Sequence, residues 1–497
     1  GGQRTTALEA IGKVNWIPDW GEKRIRGAVE SRPDWCISRQ RSWGVPIPAF
    51  YDEDGIGYMD ANVIRAVAEK VEKSGTNLWY TATTEELLDG IDLPESWQGK
   101  TLKAGTDTLD VWIDSGSSHF AVLNQNEDLT WPSDLYLEGS DQHRGWFQSS
   151  LWTGIIRKGA APYKSVLTHG FIVNQDGTKL SKSEGAMTLE HYMDKWGADI
   201  IRLWIASTDF RNDVSMGQEV LNTIGDAYRL IRNTFRYQIS NLYDFDINSN
   251  GMPVLELHEL DRWALDKAAI LAEACENAYE NYEFHRVYQL CNQFCSVTLS
   301  ALYHDILKDR LYTLAEDHPL RRSSQTAIYH IFRTLVRVLG PALPFTTDEA
   351  WSYFAEDMDF VDDPLLLQGW PTEAAAWKDE ALSLEFADLL VFRDSVNEKL
   401  EILRKNGEIG RSLDAYVALS GPSSNPTFQL LSKYNEFLEE LFIVSRVVLA
   451  ESNDQEPTIT VIKATGGRCP RCWRWYPTLQ NETNNEELCP RCAEAIL

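Results

Sequence analysis

The 497-residue sequence has no run of apolar residues approaching the ~18 that a membrane-crossing helix needs, which excludes a helical membrane protein. It is short of positive charge: 47 Lys and Arg face 74 Asp and Glu, for a formal net charge of −27. That balance excludes a polybasic nucleic-acid coat but allows a local basic site on an acidic body. Histidine is scarce, with nine residues of which no two lie within ten positions of each other. The chain starts Gly1-Gly2 without Met or an apolar leader, so no secretory signal is expected and a processed, engineered or truncated start is. Internal repeats are absent beyond two Cys-x-x-Cys pairs.

What is present is the material of a large folded core. Apolar residues make up 43% and charged residues 24%, with 18 Trp, 19 Tyr and 18 Phe. The length suits about three domains. In residues 1–205, Val45–Tyr51, Leu109–Ile113, Leu135–Leu137 and Lys164–Leu167 read as short strands separated by helical segments. This is the pattern of an α/β fold with a parallel sheet. From about 218 to 355 the texture changes. Leu260, Ala264, Ala268, Leu271 and Cys275, then Phe284, Val287, Leu290, Phe294, Val297 and Ala301, recur at threes and fours and predict a helix bundle over 206–380. The polar stretch Asp244–Gly251 reads as a loop within it, and Pro341–Pro344 closes a helix. Residues 381–462 read as a small α/β junction, with strands at Ala415–Leu419 and Thr458–Ile462 and helices around Leu389–Leu403 and up to Leu441. Residues 463–497 form a Cys-rich module.

Cys469-Pro-Arg-Cys472 and Cys489-Pro-Arg-Cys492 are separated by 16 residues. Two such pairs supply four thiolates, the ligand set of one tetrahedral structural zinc. A four-Cys shell leaves no position for a catalytic water, so the metal folds the module rather than doing chemistry. Two disulfides or four buried free thiols are the alternative, disfavoured because the paired spacing is a strong metal signal and because Cys36, Cys275, Cys291 and Cys295 sit among apolar neighbours and read as reduced core thiols of a cytosolic chain. Between Lys463 and Tyr476, Arg468, Arg471, Trp473, Arg474 and Trp475 fall in a stretch with no acidic residue. Basic groups for phosphates and aromatics for bases suit RNA contact, and packing on the module's own core is the alternative for each aromatic.

The Lys- and Ser-rich turn Gly177–Ser183 (GTKLSKS) follows a strand-like Phe171–Val173, with His169-Gly170 just upstream. Glu138–Trp146 sits where a strand gives way to a helix, and Ser117-Ser118-His119 is expected at a neighbouring strand end. Ligands of open α/β sheets bind at the carboxyl ends of strands, beside helix N-termini.

Lys179–Ser183 (KLSKS) resembles the second signature of class I aminoacyl-tRNA synthetases, with Leu at its second place. Trp35–Gly44 (WCISRQRSWG), Asp110–His119 (DVWIDSGSSH) and Leu135–Phe147 (LYLEGSDQHRGWF) resemble the isoleucyl-tRNA synthetases of bacterial type. So do the helical Leu299–Tyr312 (LSALYHDILKDRLY) and the four-Cys tail. The resemblance runs along nearly the whole chain. Valyl relatives share the Ser38-Arg39-Gln40 block but typically end in a coiled coil without this zinc tail. Leucyl relatives differ around the sheet motifs, and methionyl relatives carry their metal knuckle in the catalytic half.

The fold this implies is α/β, part of a Rossmann-like class I catalytic domain, then an α-helical anticodon-binding bundle and a small C-terminal zinc module. The family's early His-x-Gly-His element is absent, and its inserted editing domain is expected before residue 1. The sequence therefore reads as a C-terminal portion that needs an N-terminal half for activity.

The implied reaction activates L-isoleucine with ATP and Mg2+ to isoleucyl-adenylate and transfers it to tRNA(Ile). The resemblance places Lys182, with Lys179, on the developing pyrophosphate, Ser181 and Ser183 beside them as hydroxyl donors, and His169 with Lys182 on ATP. Glu138, Gly139, Asp141 and Gln142 fall at adenylate-binding positions, and Trp112 and Trp146 at the walls of the isoleucine pocket. It implies a cytoplasmic protein, monomeric at full length and independent of membranes. The alternatives are a catalytically inactive tRNA-binding fragment, a valyl-type class I synthetase, and an unrelated zinc-ribbon nucleic-acid-binding protein that leaves the motifs of 1–205 unexplained.

Overall fold

The computed structural model describes residues 2–32, 34–174, 189–356, 364–452, 456–481 and 487–496, which form two compact units. Lys179, Ser181, Lys182 and Ser183 lie outside the described residues.

The first unit comprises Gly1–Val173 and Phe210–Ser215. Its main sheet is parallel and three-stranded, with Tyr163–His169 between Asn15–Ile17 and Ser133–Gly139. Helices Gly2–Ile11, Trp20–Ser31 and Trp146–Lys158 contribute its core. Ile25 and Val29, one turn apart, are fully buried with Ile11, Phe147, Leu151 and Val166. A second small core of Phe50, Val63, Trp79, Leu87 and Trp97 lies under the antiparallel strands Phe50–Tyr51, Gly57–Tyr58 and Lys103–Ala104. Its helix Ala61–Ser74 starts where the Asp60 carboxylate accepts the Asn62 and Val63 N–H groups, and it stops at Gly75 with φ +79°.

Two expected strands are shorter than read. Only Thr108–Leu109 is extended, paired with Ser38–Arg39, because the Asp110 carboxylate then accepts the Trp112 N–H and starts helix Val111–Gly116. In Val45–Tyr51 the ring nitrogens of Pro46 and Pro48 cannot donate, and only Phe50–Tyr51 becomes strand.

The second unit comprises Asn174–Asp209 and Met216–Leu497. Helices Gln218–Ser240, Glu259–Glu280, Phe284–Gln293, His304–Thr313, Pro319–Leu339 and Pro344–Glu356 form the bundle. Phe294–Tyr303 is π-helical, a widening that a spacing of threes and fours cannot announce. Helix Pro319–Leu339 runs through the centre, with Ala327, Ile328, Ile331, Phe332, Leu335 and Val336 fully buried. The stretch read as a loop holds one helical turn, Ile247–Asn250, capped by Asp246. Beyond helix Glu380–Lys405, strand Ala415–Gly421 lies between Arg446–Glu451, parallel to it, and Thr458–Lys463, antiparallel.

Cys275, Cys291 and Cys295 are buried free thiols, as expected, but Cys36 is exposed. No helix among the described residues is long and apolar enough to cross a membrane.

Burial pushes His330 down to about 4 and His304 to about 3, so both are neutral in the folded bundle. An unfolded His titrates near ~6.5. Between these values the unfolded chain binds more protons, so stability is fully present above about pH 6.5 and falls as pH drops toward 4. The urea midpoint is expected to be lower at pH 5 than at pH 7.5, with a smaller drop for His330→Gln. An equal drop in the variant contradicts the assignment.

Candidate functional site

The carboxyl ends of two neighbouring parallel strands carry Gly139 and His169, which pair across the sheet. Glu138 is exposed there, and its Oε2 accepts the Gly139 N–H at 2.9 Å. A Cβ at Gly139 would come within 2.9 Å of Asp141 Oδ1 and 3.7 Å of the His169 ring, so both side chains close on this strand end. His169 Nδ1 lies 2.7 Å from the Gly170 carbonyl. Gly170 itself packs on the backbone of Asn212, where an added Cβ would come within 2.2 Å of the carbonyl oxygen.

Past Gly139 the chain turns through Ser140–His143 into helix Trp146–Lys158. Gln142 Oε1 accepts the Trp146 N–H at 2.8 Å and so satisfies the first free N–H of this helix, whose N-cap is Gly145. Trp146 stacks on Tyr136, with centroids 4.2 Å apart, and donates Nε1–H to the Ser115 carbonyl at 2.9 Å. The Trp112 ring lies against Gly145, where a Cβ would come within 2.9 Å of it. The structure thus brings Trp112, Glu138, Gly139, Asp141, Gln142, Trp146 and His169 to one end of the sheet.

Two residues behave differently from their sequence reading. His119 is no strand-end group: it is buried in Ser118–Ala121, 3.0 Å from Thr153 Oγ1, with Nδ1 accepting from Trp131 Nε1, and burial pushes it down to about 4. Asp110, whose role the sequence reading missed, is a buried fastener. Its Oδ2 accepts Trp35 Nε1–H at 3.0 Å and pairs with Arg39 at 2.6 Å, tying Trp35–Gly44 to Asp110–His119. An Asp just before an apolar helix is an N-cap signal, but nothing local names its distant partners.

In the second unit the Sγ atoms of Cys469, Cys472, Cys489 and Cys492 lie within 4.8 Å of one another, and all four residues are buried. Cys472 and Cys489 sulfurs are 3.7 Å apart. Zn–S bonds of ~2.3 Å give a tetrahedron edge of about 3.8 Å, so the cluster fits zinc. The Cys489 and Cys492 N–H groups point at Sγ of Cys469 and Cys489 at 3.5 and 3.4 Å, donors that favour thiolate. The zinc this module takes is structural, as the closed four-sulfur shell requires.

Within the basic-aromatic stretch the side chains divide. Arg474 is 5% exposed, paired with Asp309 and Glu439, and Trp475 donates Nε1–H to Asp414 at 3.0 Å. Both turn inward, contrary to the expected RNA-facing role. Trp473 is 50% exposed at φ +64°, with Arg411 4.7 Å and Arg468 5.7 Å from its ring. Beside it opens a cavity of about 650 Å³ lined by Lys308, Tyr312, Arg393, Arg411, Arg471 and Trp473, among others.

Residues 3–217 match the profile of class I tRNA synthetases (I, L, M and V), 261–419 that of the anticodon-binding domain of tRNA ligase, and 466–495 that of the zinc finger found in FPG and IleRS. The isoleucine–tRNA ligase of Methylacidiphilum infernorum is 46% identical over 496 residues, covering 99% of this chain and 53% of that protein. That of Syntrophotalea carbinolica is 45% identical over 507 residues, covering 100% and 54%. The chain spans about half the length of these curated relatives. In fold it resembles the LeuRS of the Agrobacterium radiobacter K84 LeuRS–tRNA–LeuAMS ternary complex, with TM-score 0.50 at 14% identity over 86% of this chain and 53% of that one. A class I synthetase domain, an anticodon-binding domain and this zinc finger, in one chain 41–46% identical to isoleucine–tRNA ligases, place it among the homologues of that family.

Proposed function

We propose that this chain is a C-terminal portion of an isoleucine–tRNA ligase, acting on ATP, L-isoleucine and tRNA(Ile). The observation that carries the reading is the convergence of three separate stretches, Trp35–Gly44, Asp110–His119 and Leu135–Phe147, at one end of a parallel sheet. In the first step the isoleucine carboxylate attacks the α-phosphorus of ATP in line and pyrophosphate leaves. Catalysis is then mainly positioning and neutralisation of charge.

Glu138, held at one oxygen by the Gly139 N–H, offers a carboxylate to the substrate ammonium or the ribose hydroxyls. Gly139 admits the adenylate close to the backbone, and Asp141 and Gln142 line it. Trp112 and Trp146 wall the isoleucine side chain. Lys182, Lys179, Ser181, Ser183 and His169 serve the phosphates, the lysines as flexible point charges with Mg2+ accompanying ATP. In the second unit, Trp473 and the arginines around it face the anticodon end of the tRNA. The full-length protein is a cytoplasmic monomer.

Glu138→Ala in the full-length enzyme is expected to weaken binding of a non-hydrolysable isoleucyl-adenylate analogue by roughly 10- to 100-fold, the worth of a charge-assisted hydrogen bond. Its urea midpoint should stay unchanged, because the side chain is exposed. Equal analogue affinity in calorimetric titration removes Glu138 from the site.

A further inference from the structure

Three arginines of the four-Cys module end on the C-terminal half of the bundle helix His304–Thr313. Arg491, between Cys489 and Cys492, grips Asp309 with both prongs, Nη1 to Oδ2 at 2.6 Å and Nη2 to Oδ1 at 2.7 Å. Arg474, two residues past Cys472, donates to Asp309 Oδ2 at 3.0 Å and to Glu439 Oε2 at 3.1 Å. Arg471, between Cys469 and Cys472, donates to the Thr313 carbonyl. Thr313 Oγ1 completes the shell of Asp309 at 3.1 Å from Oδ1. One carboxylate therefore holds one arginine from inside the second Cys pair and one from just past the first. One residue along, the fully buried Arg310 pairs with Glu440 at 2.7 Å, so Asp309 and Arg310 of the bundle meet Glu439 and Glu440 of the junction through arginines.

We propose that Asp309 is the positioning residue that seats the four-Cys module on the helix bundle, and that this seating shapes the arginine-lined cavity beside Trp473. Four thiolates on a metal hold the module together internally but bond nothing outside it, so its orientation must come from other groups. A two-pronged guanidinium–carboxylate pair fixes direction as well as distance, which a single point contact does not. Two guanidiniums desolvated beside each other repel once the shared carboxylate is gone, and the module leaves its seat. The cavity is lined by both partners, Lys308 and Tyr312 from the helix and Arg471 and Trp473 from the module, so it exists only while they are docked. The proposal goes beyond the tRNA ligase reading and is tested without any activity assay.

The test compares the zinc-loaded 497-residue chain with Asp309→Asn and Asp309→Glu, by metal analysis and hydrogen-exchange mass spectrometry. Asp309→Asn is expected to keep one zinc per chain while amides of 464–481 and 487–496 exchange at least tenfold faster. The central helix Pro319–Leu339 should stay as protected as in the wild type, and Asp309→Glu should restore part of the module's protection. Wild-type protection in Asp309→Asn means the module is seated by other contacts and overturns the proposal. Loss of zinc from that variant also overturns it, since Asp309 would then act on the module's own folding. If Asp309→Asn does not fold, Arg474→Lys, which keeps the charge but cannot bridge Asp309 and Glu439 with one planar fork, should show the same faster exchange. Unchanged exchange in Arg474→Lys equally overturns the proposal.

Discussion

Cys472→Ser in the full-length enzyme is expected to release the zinc and raise the KM for tRNA at least tenfold, while isoleucine-dependent pyrophosphate exchange stays within twofold of wild type. Cys472 and its three partners pack together with Leu488 and Ala493 in a core too small to hold without metal. With the metal gone, Trp473 and Arg471 lose the turn that places them beside the cavity. An acidic chain of net charge −27 repels RNA except at such local basic patches, so losing this one weakens tRNA binding out of proportion to its size. The closed shell offers no catalytic position, which is why activation should be spared. Steady-state charging and exchange assays on the same preparation separate the two effects. Normal charging by a zinc-free variant contradicts the assignment.

Lys182→Ala in the full-length enzyme is expected to slow adenylate formation by about 100- to 1,000-fold, with the isoleucine dissociation constant nearly unchanged. A lysine that meets charge only as pyrophosphate departs stabilises the transition state more than the bound substrate. Lys179→Ala should have the smaller effect, as the secondary charge. Pre-steady-state bursts with isoleucine and ATP report the rate, and equilibrium titration reports binding. A normal burst rate with weakened isoleucine binding assigns Lys182 to ground-state binding and contradicts this role.

The parts of the site legible in sequence are those written within a few residues. Glu138–Trp146 carries its strand end, its glycine and the Gln142 acceptor for the first helical N–H in nine consecutive positions, and each Cys pair is local. The bundle was legible because its apolar faces repeat at threes and fours. What the sequence concealed depends on partners far along the chain. Asp110 fastens Trp35 and Arg39 from 75 and 71 residues away, and Asp309 meets Arg491 across 182. Neither spacing has a local signature. The inward turn of Arg474 and Trp475 was hidden for a related reason. A basic-aromatic string looks the same whether it faces solvent or the carboxylates of Asp309, Glu439 and Asp414. Cys36 was misread because its neighbours are apolar, yet Ile37 beside it is itself exposed.

The central claim is that the strand-end site belongs to an enzyme that activates isoleucine. Its most direct test is ATP–pyrophosphate exchange by the full-length enzyme, with isoleucine, valine, leucine and methionine supplied one at a time. Exchange that is fastest with isoleucine, and slowed together with weakened analogue binding by Glu138→Ala, is the expected result. Exchange led by valine, or none with any of the four, contradicts the account.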